Sequence, residues 1–320
     1  MTLAIFSPVV GFNAVYEDNL DAQLTLDPSR YGVRELAAMP LRSVTKLTRA
    51  ADMAVFGIQP WGFHLGSLLW HSVNVLLFLA LAWLVLPPWG AVAAAGIFAW
   101  HPIQVEAVAY VSARADLVST VGLLLALLAT AGRSFAGAVV GVSLAALSKE
   151  TAIVAWGLVP LWAAWFQTPF PLRRWLGLCL IGMAASLPWL WPYAQTVTLD
   201  SVMAGEQLAA IGRLVALVFV PWGLTVDHDW ASIAWLGPVA FILSSGVTAW
   251  ALVAGWRARS WLAFAWLWTL VALLPRLVVP LGEGVHEHHF VVPMVGWALA
   301  AGAWLSQSQR VDIWQAEPTI

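Results

Sequence analysis

The chain has 320 residues, 61% hydrophobic and 10% charged, with 22 Trp and a formal net charge of −2. With a mean hydropathy of +0.80, this composition excludes an ordinary soluble domain and points to a membrane protein of helical type. The charge balance gives no reason to expect a polyanion or nucleic-acid partner, and the single Cys179 excludes an intrachain disulfide and a cysteine metal cluster.

The apolar runs are too long and unbroken for the two-residue alternation of an outer-membrane barrel. The first run, 1–15, is short for a span of roughly 20 residues. It has no basic n-region and no small-residue cleavage site, so it does not read as a cleaved signal peptide. Glu17 and Asp18 follow it directly. They open a polar segment, 16–62, that holds most of the ionisable groups of the chain. Within it, 36–56 has helical spacing of apolar residues with Arg42, Lys46 and Arg49 on the other side. That pattern predicts a helix lying in the membrane interface.

Spans are predicted near 63–86, 88–101, 116–132, 135–149, 151–167 and 175–195, punctuated by Pro87-Pro88, Gly132-Arg133 and the prolines from Pro169 on. A shorter run, 208–224, reads as re-entrant or interfacial. Three more spans follow near 232–255, 260–280 and 289–306. The expectation is an all-α polytopic membrane protein of about ten transmembrane helices. It forms one domain over 1–306, with a short polar cytoplasmic tail over 307–320.

With 16–62 placed outside, Arg133, Arg173, Arg174, Arg257, Arg259 and Arg310 fall on the cytoplasmic side, as short loops require. The first loop carries five basic residues outside, but a loop of that length translocates despite its charge. The same side then collects Glu17, Asp18, Arg42, His101, Glu106, Arg114, Asp116, Lys149, Glu150, Asp227, His228, Asp229, Glu283 and the run 286–289. Ionisable groups near hydrocarbon are costly and mark a site by default. The densest stretch is F-A-W-H-P-I-Q-V-E-A-V-A-Y-V-S-A-R-A-D, residues 98–116. There Pro102 breaks the helix after His101, and Glu106, Tyr110 and Arg114 are expected on one face of a short helix.

An acidic pair beside the membrane suits a general base that activates an acceptor hydroxyl. Arg and Lys nearby suit a phosphate leaving group. Lys149-Glu150 ends an apolar run, where a buried Lys–Glu step is expensive unless each group is paired or touches a ligand. His64 and His71, seven apart, share one helix face. A helix-borne His taken singly is more often a packing residue than a ligand. Glu283, His286, Glu287, His288 and His289 resemble a metal cluster in composition, but the H-E-x-x-H spacing is absent. No metal ligand is assigned, and a divalent metal stays open as a cofactor.

Four separated motifs carry a family resemblance. They are 12–19; Leu41-Arg42 with 57–71 (G-I-Q-P-W-G-F-H-L-G-S-L-L-W-H); His101-Pro102, Glu106, Arg114-Ala-Asp116 and Ser148-Lys149-Glu150; and Glu287-His-His-Phe followed by Pro293. Together they resemble the GT-C superfamily of membrane glycosyltransferases, in the protein O-mannosyltransferase-like branch that includes the transmembrane-and-TPR O-mannosyltransferases. The resemblance implies a GT-C-like bundle and an inverting transfer of a mannose-like sugar. The donor would be a polyprenyl-phosphate sugar and the acceptor a hydroxyl, on protein or glycan, on the extracytoplasmic side of the bilayer. It maps the catalytic carboxylate onto Asp18, with Glu17 beside it, and the donor phosphate onto Arg42, Arg114 and Lys149. His64, His71, His101, Glu106, Asp116, Glu150, Glu287 and His288 complete the substrate-binding set it implies. The chain departs from the pattern at Ser43, at Ser67 and at His288-His289, and it has no TPR array. The alternative is a non-catalytic transporter or an assembly partner that keeps the fold.

Overall fold

The structure is a computed structural model that describes residues 2–11, 40–195, 201–225, 235–278 and 286–307. Those residues form an all-α membrane fold. The helices, in chain order, are α1 Thr2–Phe6, α2 Ser43–Phe56, α3 Pro60–Trp83, α4 Pro88–Trp100, α5 Val105–Ala109, α6 Arg114–Ala131 and α7 Phe135–Ser148. They continue as α8 Ala155–Trp165, α9 Leu172–Gln195, α10 Ser201–Phe219, α11 Gly237–Trp250, α12 Trp261–Val278 and α13 Val291–Leu305. Proline at the first helical turn starts α3 and α4, where its missing N–H costs nothing. Ser134 caps α7 by accepting from the Gly137 N–H at 3.1 Å.

Lipid offers helices no hydrophobic reason to associate, so small residues that let backbones approach set the order of packing. Gly122 and Ala126 of α6 face Gly141 and Ala145 of α7. A Cβ on Gly122 would stand 2.5 Å from the Ala145 nitrogen, and one on Gly141 2.5 Å from the Ala126 nitrogen. A second seam joins α4 to α13, where Gly302 lies against the Gly90 carbonyl. Helix α12 packs on α13, and α6 is enclosed by α3, α7 and α13. The core runs through Phe78, Phe98, Leu117, Leu124, Trp162, Trp268, Phe290 and Leu299, all buried.

Three helical stretches are long and apolar enough to cross a membrane, namely Pro60–Trp83, Val111–Ala131 and Gly237–Ala258. Pro88–Trp100 with Pro102–Ala109 makes a fourth if that pair, bent by 49°, is a single span. Phe135–Ser148, Ala209–Phe219 and Trp261–Pro275 are apolar but shorter. The expected runs therefore recur as helices, while length and hydropathy together single out three or four of them.

One local expectation is corrected. Glu106 and Arg114 do not share one helix. Helix α5 ends at Ala109, Tyr110 is extended (φ −87°, ψ 110°), and a 3-10 turn over Val111–Ala113 leads into α6, which begins at Arg114. Tertiary demand overrides local spacing here, because the Arg114 side chain is fully buried against α2 and α3 and the chain must turn to bring it there. The described part of 36–56 forms the expected helix over Ser43–Phe56. On α2, Thr45, Arg49 and Asp52 turn toward the protein, while Leu47, Ala51, Ala54 and Val55 are exposed.

Candidate site: a buried chain of ion pairs

Helix α2 is held over the helix ends by polar contacts. Thr45 Oγ1 donates to the Ser148 carbonyl at 2.7 Å, and Arg49 donates to the carbonyls of Val111 and Ser112, each at 3.2 Å. Asp52 pairs with Arg114, whose guanidinium also donates to the Phe63 carbonyl and to Ser67 Oγ. Gly66 makes this possible, since a Cβ there would run into the Asp52 carboxylate. Burial pushes the Asp52 carboxyl above its ordinary range, against the opposing pull of Arg114.

The Lys149-Glu150 step solves its burial cost with two different partners. Lys149, extended at the end of α7, places Nζ at 2.6 Å from both carboxylate oxygens of Asp116 on the first turn of α6. Glu150, one residue on, takes a two-pronged grip from Arg42, with Nε at 2.8 Å and an Nη at 2.7 Å. Lys149 is extended while Glu150 opens a 3-10 turn over Glu150–Val154, and the two neighbours serve separate pairs. Burial raises the Glu150 carboxyl, but the Arg42 hydrogen bonds and charge, aided by Lys149, outweigh it and hold the pKa at about 2.

Glu106 joins this set from α5. Its two oxygens accept from the backbone N–H and from Nδ1 of His288, both at 2.9 Å. His288 Nε2 faces Asp116 Oδ2 at 4.0 Å. The groups Glu106, His288, Asp116 and Lys149 thus stand in one line, drawn from α5, from the 3-10 turn Glu287–Phe290, from α6 and from the end of α7. A small cavity of about 30 Å³ opens on the Lys149–Asp116 pair, lined also by Ser119, Thr151, Pro275 and His289.

The remaining expected residues lie elsewhere in the fold. His71 Nε2 contacts the Ala99 carbonyl at 3.1 Å, and its ring lies between Phe6 and Phe98. His64 is buried on α3. His101 caps the turn Pro102–Gln104 by accepting from the Ile103 N–H, and its Nε2 meets the Val218 carbonyl at 3.0 Å. Glu287 is buried and accepts from the Thr225 N–H at 2.9 Å. Glu17 and Asp18 lie outside the described residues. Among the described residues no group of three or more His, Cys, Asp or Glu is arranged to hold a metal ion.

Sequence reasoning missed Asp52 as the partner of Arg114. The signal was present, since Arg42, Thr45, Arg49 and Asp52 recur at helical spacing and so share one face.

Fold and site together define an all-helical membrane protein with a buried network of paired charges. No protein-family model matches the chain, and no solved structure matches it. Among curated proteins it is similar to the protein O-mannosyl-transferase Tmtc2 of Drosophila melanogaster, 47% identical over 70 residues, which is 22% of this chain and 8% of that protein. It is also similar to the protein O-mannosyl-transferase Tmtc1 of the same fly, 39% identical over 107 residues, 31% of this chain and 12% of that one. The human protein O-mannosyl-transferase TMTC3 is 36% identical over 87 residues, 27% of this chain and 10% of that protein. The matched stretches therefore span about a tenth of those relatives' length.

Proposed function

We propose that the chain is a multi-pass membrane glycosyltransferase of the GT-C type, transferring a mannose-like sugar with inversion from a polyprenyl-phosphate donor to a hydroxyl acceptor. Its active face is extracytoplasmic. Residues 1–306 form one domain of about ten spans, and 307–320 a cytoplasmic tail. The observation that carries this reading is that Arg42, Glu106, Asp116, Lys149, Glu150 and His288, scattered through the sequence, form adjoining ion pairs and hydrogen bonds. The similarity to protein O-mannosyl-transferases supplies the reaction class.

In this reading Asp18 is the general base and Glu17 shapes its field. The base must come within about 2.6–3.2 Å of the acceptor oxygen in the reactive complex. Covalent geometry allows it to reach the cluster. Phe6 and Val9 pack with Leu68 of α3 and Val108 of α5, two residues from Glu106. Asp18 is nine residues beyond Val9 in sequence, a tether of up to about 30 Å. Arg42 and Lys149 serve the donor phosphate as charge builds on the leaving oxygen. Each arrives paired with a carboxylate, so it is positioned before donor binds. Arg114, held by Asp52, Phe63 and Ser67, orders the roof made by α2. The exposed apolar side of α2, with Leu47 and Val55, suits a helix resting in the interface.

The test is transfer from a polyprenyl-phosphate sugar by purified protein. Asp18→Asn keeps size and hydrogen-bonding reach, and should lower the rate about a hundredfold or more with donor binding near normal. Loss in Glu17→Gln instead would move the base by one residue. Near-normal transfer in both variants and in the double variant would remove this loop from the mechanism.

A further inference from the structure

Five arginines gather at the end of the bundle opposite the site. Helix α6 leaves the site at Arg114 and runs 18 residues, about 27 Å, to the turn that holds Arg133. Helix α8 starts just after Ala152 and Val154, which line the cavity, and runs to the same far end. There α12 begins beside it, with the Phe166 and Trp261 rings 5.6 Å apart. Phe135, the first residue of α7, meets Phe170 and Trp175 at ring centroids 5.8 and 6.0 Å away. These contacts set the turn carrying Arg133 against the start of α9, which carries Arg173 and Arg174, and all three arginines are exposed. On the other flank of the α8–α9 loop, Arg259 donates to the Ala164 carbonyl at 3.0 Å and lies over Trp165 and Trp256. Arg257 is exposed two residues before it. The segments 117–149, 151–199 and 230–282, which build this end, contain no Asp or Glu. Helix dipoles change little, because α4, α7, α9 and α12 start here while α3, α6, α8, α13 and the stretch through α11 finish here.

Three of those helices finish in the same way. The N–H groups of Ser134, Thr168 and Ser260 reach back to the carbonyls of Ala129, Ala163 and Gly255 at 2.8, 2.9 and 2.9 Å. The residue before each donor stands in the left-handed region that favours glycine, and those residues are Arg133 (φ 59°), Gln167 (φ 54°) and Arg259 (φ 52°). Gly132 directly precedes Arg133, yet it takes an ordinary φ of −76°. A long side chain is therefore kept where the backbone favours none. Strain retained in this way points to a use for the side chain.

We propose that this end is a binding surface for the headgroup of an anionic phospholipid, centred on Arg133, Arg173 and Arg174. Its level in the membrane singles out a lipid. Trp83, Trp89 and Trp304 are exposed at the same end, as tryptophans at the headgroup boundary are. Leu172 and Leu176 are exposed on either side of Arg173 and Arg174, so a phosphate and an acyl chain meet basic and apolar surface side by side. The guanidinium fork matches the two unesterified oxygens of a phosphodiester. Arg259, tied to the Ala164 carbonyl and to two tryptophans, forms the fixed edge of the surface. The proposal does not depend on the transfer reaction, because this surface lies a helix length from Lys149.

The test is native mass spectrometry of the full chain in neutral detergent, titrated with dioleoylphosphatidylglycerol or with dioleoylphosphatidylcholine. Each arginine near the surface should contribute about fivefold to anionic-lipid affinity, so wild type should favour phosphatidylglycerol roughly a hundredfold. Arg173→Gln with Arg174→Gln should weaken phosphatidylglycerol about 25-fold and leave phosphatidylcholine unchanged. Arg133→Gly relieves the left-handed backbone, so it should melt higher than wild type while binding phosphatidylglycerol about fivefold less tightly. A higher melting temperature with unchanged lipid affinity would give Arg133 a topological role alone and overturn the proposal. Equal affinity of wild type for the two lipids, or an unchanged preference in the paired glutamine variant, would overturn it as well. Displacement of phosphatidylglycerol by millimolar glycerol 1-phosphate would mark a site for soluble anions and overturn the lipid assignment.

Discussion

Helix α6 and the stretch that contains α11 have the same mean hydropathy, 1.7 over their most apolar windows, yet 78% of the first window is buried and 11% of the second. Both look alike to any scale of apolar character. What separates them is the kind of residue facing a neighbour. Along α6, Gly122 and Ala126 let α7 approach to backbone contact. Along α11, Gly246 has open space around it, and Phe241, Ile242 and Leu243 are exposed. In lipid, apolar surface is no reason for burial, so the helix with small-residue seams becomes the centre and the other its outer wall. The central helix is also the one whose first turn carries Arg114 and Asp116, so the charges of the site start from the best-fixed element.

The sharpest way to break this comparison is to exchange glycines. Gly141→Leu drives a side chain into the α6 backbone, and a loss of more than about 4 kcal/mol or failure to fold is expected. Gly246→Leu meets nothing, and should leave thermal unfolding unchanged or raise stability by up to about 1 kcal/mol through helix propensity. Equal effects of the two changes on the melting curve would contradict the packing order.

Next in size is the Lys149–Asp116 pair. Asp116→Ala strands a buried ammonium and should cost about 3–5 kcal/mol. Asp116→Asn with Lys149→Met removes both charges and should recover most of that loss in denaturant titration. A double variant as unstable as the single one would mean that the pair is not the source of the cost.

These contrasts also show what was legible in the sequence. The helices were, because proline, glycine and charge punctuate long apolar runs. The membership of the polar cluster was largely legible too, since Lys149-Glu150 ending an apolar run demanded partners. The identity of those partners was not. Asp116 and Arg42 reach Lys149 and Glu150 only through the α6–α7 hairpin and the fold-back of α2, and local spacing does not carry such long-range contacts. The same reason defeated the expected helix joining Glu106 to Arg114. Local periodicity favoured it, but Arg114 is claimed by Asp52, Phe63 and Ser67, and the chain turns at Tyr110 to deliver it.

The smallest expected effect is a pH dependence. The Arg42 hydrogen bonds and charge hold Glu150 at about 2, below its ordinary 4.5. A depressed carboxyl contributes stability that is present above the unfolded value and lost as pH falls from 4.5 through 2. Arg42 is partly open to solvent, so screening limits the contribution to about 1 kcal/mol. Glu150→Gln should therefore be less stable than wild type by about that much at pH 7, with the gap closing toward pH 3. A gap that widened on acidification would reverse the assignment.

The most direct test of the central claim, that the donor phosphate is met by the charges gathered around α6 and not by the outer wall, is photolabelling. A polyprenyl-phosphate sugar carrying a diazirine next to its phosphate would be crosslinked to the protein in membranes and the labelled residues identified by mass spectrometry. The account predicts label around Arg42 and on the cavity lining at Thr151 and Pro275, competed by unlabelled donor. Competed label confined to the exposed face of α11, at Phe241, Ile242 and Leu243, would contradict it.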